Sequence, residues 1–140
     1  MDGHVSGLDF SETMFQAASE RNQLWLLEGK MTLRFGSSDV MPFEECMFDK
    51  VATANTLYFW QAPQVHLKEV LRVLKPSGQF VMGFRDSTQI EVMKLDRSIF
   101  RAYSLNEVET LLIDAGFEEV VIHQQAGFPF TSFVAVAVKP

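Results

Sequence analysis

The residues best placed for chemistry stand at the ends of short apolar runs. Val5–Leu8 ends at Asp9. Within Phe35–Trp60 (FGSSDVMPFEECMFDKVATANTLYFW), an acidic loop, Ser38-Asp39-Val40, precedes a Met41-Pro42 turn. Phe48-Asp49-Lys50 then leads a strand-like run, Val51–Ala54, that ends at Asn55. Acids and an amide at strand ends suit the rim of an open α/β sheet, which binds ligands in the crevice beyond the carboxyl ends of its strands. Plainer readings stand beside these. Asp9 also suits a helix start, Asp39 a turn, Asn55 a strand-end cap, and Met14, at helical spacing, the core. Tyr58, Phe59 and Trp60 form an aromatic cluster that either walls a pocket or simply packs. Arg85 and Asp86 follow a later strand, placed to touch a ligand or to form a surface ion pair. No side chain stands out as a proton-transfer base. His4, His66 and His123 fall at the terminus, on a predicted helix and on a predicted strand, without metal-ligand spacing.

Composition limits the partners. A length of 140 residues predicts one domain, spanning residues 1–140, with a core of its own. Thirteen Phe give that core an aromatic character. The net charge is −6, and the 12 Lys and Arg are scattered rather than clustered, which argues against a nucleic-acid surface. No apolar run is long enough for a membrane span, and no leader pattern opens the chain. Cys46 is alone, so the expectation is a reduced, cytoplasmic chain without disulfides.

The elements that must position these residues follow from periodicity. Ser11 is placed to cap a helix carrying Met14, Ala17, Ala18 and Trp25 on one buried face, closed by Gly29. Met31, Leu33 and Phe35 alternate as a half-buried strand, completing a βαβ unit. Pro63 opens a second helix with an apolar stripe at Leu67, Val70, Leu71 and Leu74. Lys75-Pro76-Ser77-Gly78 is expected to stop it. Gln79–Phe84 (QFVMGF) predicts a strand covered on both faces. The stretch from Arg85 to Ala102 is less regular, with helical hints at Ile90, Met93, Lys94 and Arg97, and suits a ligand-covering insertion. Ser104-Leu105-Asn106-Glu107 reads as a capping box ahead of Val108, Leu111, Leu112 and Ala115, with Gly116 as the stop. Glu119–Gln125 and Ser132–Val138 predict an antiparallel pair joined by a loop over Ala126-Gly127-Phe128-Pro129-Phe130.

Taken in this order, GLDFSETM (Gly7–Met14), SSDVMPFEECMFDKVATANTLYFW, VLRVLKPSGQFVMGF and YSLNEVETLLIDAGF (Tyr103–Phe117) resemble class I S-adenosylmethionine-dependent methyltransferases. The closest type is the small-molecule branch called the UbiE or methyltransferase-11 group. The resemblance covers nearly the whole chain. It implies an α/β fold with a Rossmann-like sheet, mostly parallel with an antiparallel C-terminal hairpin and helices on both faces. It implies S-adenosylmethionine as cofactor. Asp9, with Phe10 beside it, then matches the acid that accepts from the ribose hydroxyls, since a carboxylate can bind a vicinal diol through both oxygens. Asp39 matches the acceptor for the adenine amino group, with Ser38 and Val40 alongside and Met14 near the nucleoside. Asn55 matches the contact to the methionine part. Tyr58, Trp60 and Arg85 are the expected acceptor residues, and an aromatic face also suits a sulfonium cation.

The family's opening strand and D-x-G-x-G-x-G loop have no counterpart here; Met1-Asp2-Gly3-His4 leads directly into the run at Val5, and the eight glycines are scattered singly. The expectation is therefore an N-terminally truncated, incomplete sheet, with weak or no activity in the isolated chain. The family places that strand centrally, so its absence predicts a homodimer or larger assembly through the unpaired side of the sheet. The alternative is a non-catalytic binding or assembly module. A nicotinamide-dependent oxidoreductase ranks last, since it also needs a Gly-rich turn.

Overall fold

The computed structural model describes residues 3–127 and 131–140. Met1-Asp2 and Phe128-Pro129-Phe130, the latter part of the expected hairpin loop, lie outside them. The chain divides into two compact units, Met1–Phe43 and Glu44–Pro140.

In the first unit, β1 (Val5–Asp9), α1 (Glu12–Arg21), α2 (Gln23–Leu27) and β2 (Met31–Phe35) form the expected βαβ arrangement. The strands run parallel, with Val5 opposite Met31 and Asp9 opposite Phe35. Ser11 caps α1, its hydroxyl accepting from the Met14 amide at 3.3 Å. The single helix expected to reach Trp25 is instead broken at Asn22, whose side-chain amide donates to the Ala18 carbonyl at 2.8 Å. Asn competes in this way with regular helix bonding. The buried face is also displaced by one residue. Met14 and Trp25 are 57% and 51% exposed, whereas Phe15, Ala18 and Leu26 turn inward. Phe15 sets this rotation by packing edge-on against Phe35, with ring centroids 6.2 Å apart. Gly29 ends α2 at φ 69°, as expected. Around it, the Gly29 and Lys30 amides bond back to the Leu26 and Trp25 carbonyls in a Schellman pattern.

The second unit holds β3 (Phe48–Ala54), α3 (Pro63–Val73), β4 (Leu74–Phe84), α4 (Ser87–Val92), α5 (Leu105–Ala115), β5 (Glu118–Gln125) and β6 (Ser132–Val138). Its sheet order is β3-β4-β6-β5, parallel between β3 and β4 and antiparallel in the other two pairs. β3 begins at Phe48, three residues before the expected start, because Phe48 pairs with Leu74. The Lys75–Gly78 turn therefore falls inside β4 as an irregularity rather than simply ending α3. Ser77 there adopts φ 64°. A Cβ at Gly78 would lie 2.8 Å from the Lys75 carbonyl oxygen and 3.2 Å from that of Asp49.

β4 alternates instead of being buried on both faces. Phe80, Met82 and Phe84 are almost fully buried, in register with Ala137, Ala135 and Phe133 of β6. α3 packs on β4, and α5 on α3 and β5. These helices contribute Leu67, Val70, Val73, Val108 and Leu112 to the same core. Val73 takes the buried place expected for Leu71, which is half-buried. Val81, Val134 and Val136, on the opposite face, are also half-buried. The capping box at Ser104 forms as expected, with Glu107 bonding back to the Ser104 amide at 2.7 Å, and Gly116 closes α5 at φ 111°. In the insertion, Asp86 caps the short α4 and Lys94 turns left-handed at φ 52°, which excludes Met93, Lys94 and Arg97 from the expected helix.

Leu112→Ala is expected to lower unfolding stability by about 2–5 kcal/mol through the cavity it leaves. Ser104→Ala is expected to lower it by about 1 kcal/mol through loss of the cap. Urea denaturation of both variants checks the ranking.

Candidate functional site at the strand ends

In the first unit, parallel pairing brings Asp9 and Phe35 to the same end of the sheet, and the loop leaving β2 turns there. The Gly36 amide donates to the Asp9 carbonyl at 2.9 Å, and the Val40 amide to the Ser37 carbonyl at 3.3 Å. The Asp9 carboxylate is oriented by the Ser11 amide, which donates to Oδ1 at 2.8 Å. Asp9 lines a hollow of about 140 Å³ together with Gly7, Phe15, Ala18 and Leu33. Ser38, Asp39 and Val40 occupy the loop after β2, Val40 being 76% exposed. Phe10 is 72% exposed and Met14 57% exposed, so both present apolar surface to solvent rather than filling the core. Six of the site residues expected from sequence thus belong to this unit, Asp9 ending β1 and the others following β1 or β2.

The second unit brings Asn55, Tyr58 and Arg85 together. Asn55 follows β3 at φ 56°, a left-handed geometry that Asn tolerates better than most residues. Its amide still donates to the Gly83 carbonyl of β4 at 2.9 Å. Tyr58, in a single-turn 3₁₀ helix at Leu57–Phe59, is 5% exposed. Its hydroxyl accepts from the Arg85 backbone amide in a short bond and donates to Asn55 Oδ1 at 3.4 Å. Burial pushes the Tyr58 phenol above its ordinary pKa, against the opposing pull of the Arg85 amide and charge. The phenol is therefore a neutral donor near pH 7, not a base. The Arg85 guanidinium reaches Met93 Sδ at 3.3 Å. Trp60 is 7% exposed and stacks flat on His66 at 4.6 Å.

Two partners escaped the sequence reading. Thr53 and Thr56 share a hydroxyl hydrogen bond of 2.6 Å astride Asn55. Phe100, from the insertion, packs on Phe59 with centroids 4.9 Å apart. The run Thr53-Ala54-Asn55-Thr56 carried a signal for the first, being unusually polar at a strand end. Nothing local announced the second, which joins segments about 40 residues apart in the chain.

In each unit a parallel strand pair delivers polar residues to its carboxyl end, the arrangement of a Rossmann-like sheet. Residues 1–82 match the family model described as a methyltransferase domain. The chain belongs to the class I S-adenosylmethionine-dependent methyltransferase family, as the motif order implied. It is 26% identical to the uncharacterized methyltransferase YdaC of Bacillus subtilis, over 99% of this chain and 72% of that protein. It is 29% identical to a demethylmenaquinone methyltransferase of Bacillus cytotoxicus, over 99% of this chain and 69% of that protein. Among solved structures, a SAM-dependent methyltransferase of Thermotoga maritima superposes with a TM-score of 0.80 at 20% identity, over 100% of this chain and 83% of that one. The PH0226 protein of Pyrococcus horikoshii gives 0.80 at 24% identity, over 98% and 72%. The α/β fold expected from the resemblance is thus shared with solved proteins.

Tyr58→Phe removes the hydroxyl bridge and leaves the Arg85 amide without that acceptor, an expected loss of about 1–3 kcal/mol. A folded-state phenol pKa raised above the unfolded value stabilises the fold fully below about pH 10, and that contribution fades as pH rises through the folded value. Denaturation followed from pH 8 upward should show an alkaline decline that is shallower in Tyr58→Phe.

Proposed function

We propose that the chain binds S-adenosylmethionine and serves methyl transfer to a small-molecule acceptor. Asp9 is assigned to the ribose hydroxyls and Asp39 to the adenine amino group. Phe10, Met14, Ser38 and Val40 are assigned to the nucleoside surroundings. Asn55 is assigned to the methionine part, and Tyr58, Trp60 and Arg85 to the acceptor. The observation that carries this reading is Asp9. It ends a parallel strand, its carboxylate is oriented by the Ser11 amide, and the residue lines a hollow of about 140 Å³. When bound, the cofactor supplies a methyl group on a positively charged sulfur. The chain's own residues contribute orientation and apolar surface. Positioning alone can supply much of such a rate enhancement.

The motif D-x-G-x-G-x-G does not occur in the 140 residues. Weak cofactor binding and low activity are therefore proposed for the chain by itself. Calorimetry with S-adenosylhomocysteine is expected to show weak, saturable binding, further reduced about tenfold or more by Asp9→Ala, the loss expected for a hydrogen bond to a charged group. Tight stoichiometric binding would overturn the weakness. An unchanged affinity in Asp9→Ala would overturn the assignment.

A second reading, an assembly module, is favoured by the sheet edges. Among the described residues, β1 pairs only with β2, and β3 only with β4. Each therefore presents one unpaired backbone edge, a template for a strand from another chain. We propose a homodimer or larger assembly. Light scattering should give a mass of at least twice 15.9 kDa; a monomer across a wide concentration range would sink this reading. No helix among the described residues is long and apolar enough to cross a membrane. A cytoplasmic location is proposed from the lone Cys46, with fractionation of a tagged chain as its check.

A further inference from the structure

The geometry points to a binding hollow for a small aromatic carboxylate, built by the segment between β4 and α5. The hollow measures about 410 Å³ and is lined by Ser87, Glu91, Arg97, Phe100, Arg101 and Tyr103, among others. That volume falls within the range of small-molecule sites, about 300–1,000 Å³.

Its walls are held by one bond across the lining and by contacts to residues outside it. The Ser87 amide donates to the Tyr103 carbonyl at 2.8 Å, and the Arg101 amide to the Tyr58 carbonyl at 3.0 Å. The Phe100 amide bonds to the Asp96 carbonyl at 2.9 Å, while its ring rests on Phe59. The chemistry of the lining selects the ligand. Arg97 is engaged by Glu91 at 3.1 Å. The exposed Arg101 makes no ion pair among the described residues. Two guanidiniums and one carboxylate leave a local excess of one positive charge on a chain whose net charge is −6. That balance suits a monoanion better than a dianion, which the nearby Glu91 would repel. A guanidinium fork matches a carboxylate through two parallel hydrogen bonds. Phe100 and Tyr103 supply aromatic surface for a flat ring. Because the Arg101 amide is tied to Tyr58, the hollow borders the strand-end cluster of the same unit. Identifying its ligand as the methyl acceptor rests on the methyltransferase reading; the binding itself does not.

Benzoate is the probe, followed by NMR titration of the full chain, with benzamide and phenyl phosphate as comparisons. Saturable benzoate binding is expected, weakened about tenfold by loss of the charged hydrogen bond in Arg101→Gln. Arg97→Gln is expected to have a smaller effect, and benzamide to bind about tenfold more weakly than benzoate. Equal binding of benzamide, tighter binding of phenyl phosphate, or an unchanged affinity in Arg101→Gln would overturn the proposal, as would no saturable binding. Arg101 is exposed, so its variant should fold. S-adenosylhomocysteine calorimetry on the same preparation separates the two ideas. Benzoate binding without homocysteine-nucleoside binding upholds the hollow and removes its link to methyl transfer. The converse overturns the hollow and leaves the methyltransferase reading intact.

Discussion

Parallel strand pairing is the constraint on which the arrangement depends. Two strands that run the same way must end on the same edge, so whatever follows each strand is delivered to a common rim. The β1–β2 ladder sets Asp9 level with Phe35, and the acidic loop at 38–40 leaves from that level. The β3–β4 ladder sets Ala54 level with Gly83, and Asn55 and Arg85 leave from there. Residues far apart in the chain become neighbours without any of them specifying the other.

The second ladder is reinforced by side chains. Phe80, Met82 and Phe84 bury one face of β4 against α3, Phe117 and the register-matched residues of β6. That core holds β4 rigidly, so the backbone amide of Arg85, just past its end, is a fixed donor. Tyr58 uses this donor. Its hydroxyl takes the Arg85 amide and offers its own proton toward Asn55, linking the segment after β3 to the segment after β4. A phenol does this better than a carboxylate or an amine, since burial keeps it neutral and both donating and accepting capacities are used. The left-handed turn at Asn55 and the Thr53–Thr56 hydroxyl pair complete a polar group beside an apolar core.

The family's chemistry asks little of side-chain reactivity. A methyl group on a cationic sulfur is already electrophilic, and the protein's share is orientation and exclusion of water. The chain's residues are consistent with that division of labour. Its polar groups at the strand ends are hydrogen-bonded into fixed positions, and two of its three histidines are engaged elsewhere. His66 lies under Trp60, and His4 bonds to Thr32 and to the Gly29 carbonyl.

What local sequence determined here was the existence and kind of most elements. Caps at Ser11 and Ser104, stops at Gly29 and Gly116, Pro63 at a helix start and the alternation in Ser132–Val138 each act within one or two turns of chain. Their physics needs no distant partner. Tertiary structure decided the rest. Which face of α1 turns inward depends on Phe35, across the unit, and so Phe15 replaced Met14. Where β3 begins depends on Leu74, and so Phe48 joined the strand. Whether β4 is covered on one face or two depends on which helices pack there, and an apolar run alone does not reveal that. The same limit applies to the candidate site. The places of Asp9 and Asn55 at strand ends were legible because strand ends are legible, whereas the Tyr58 hydroxyl bridge and the place of Phe100 against Phe59 arise from register and packing between segments that share no local signal.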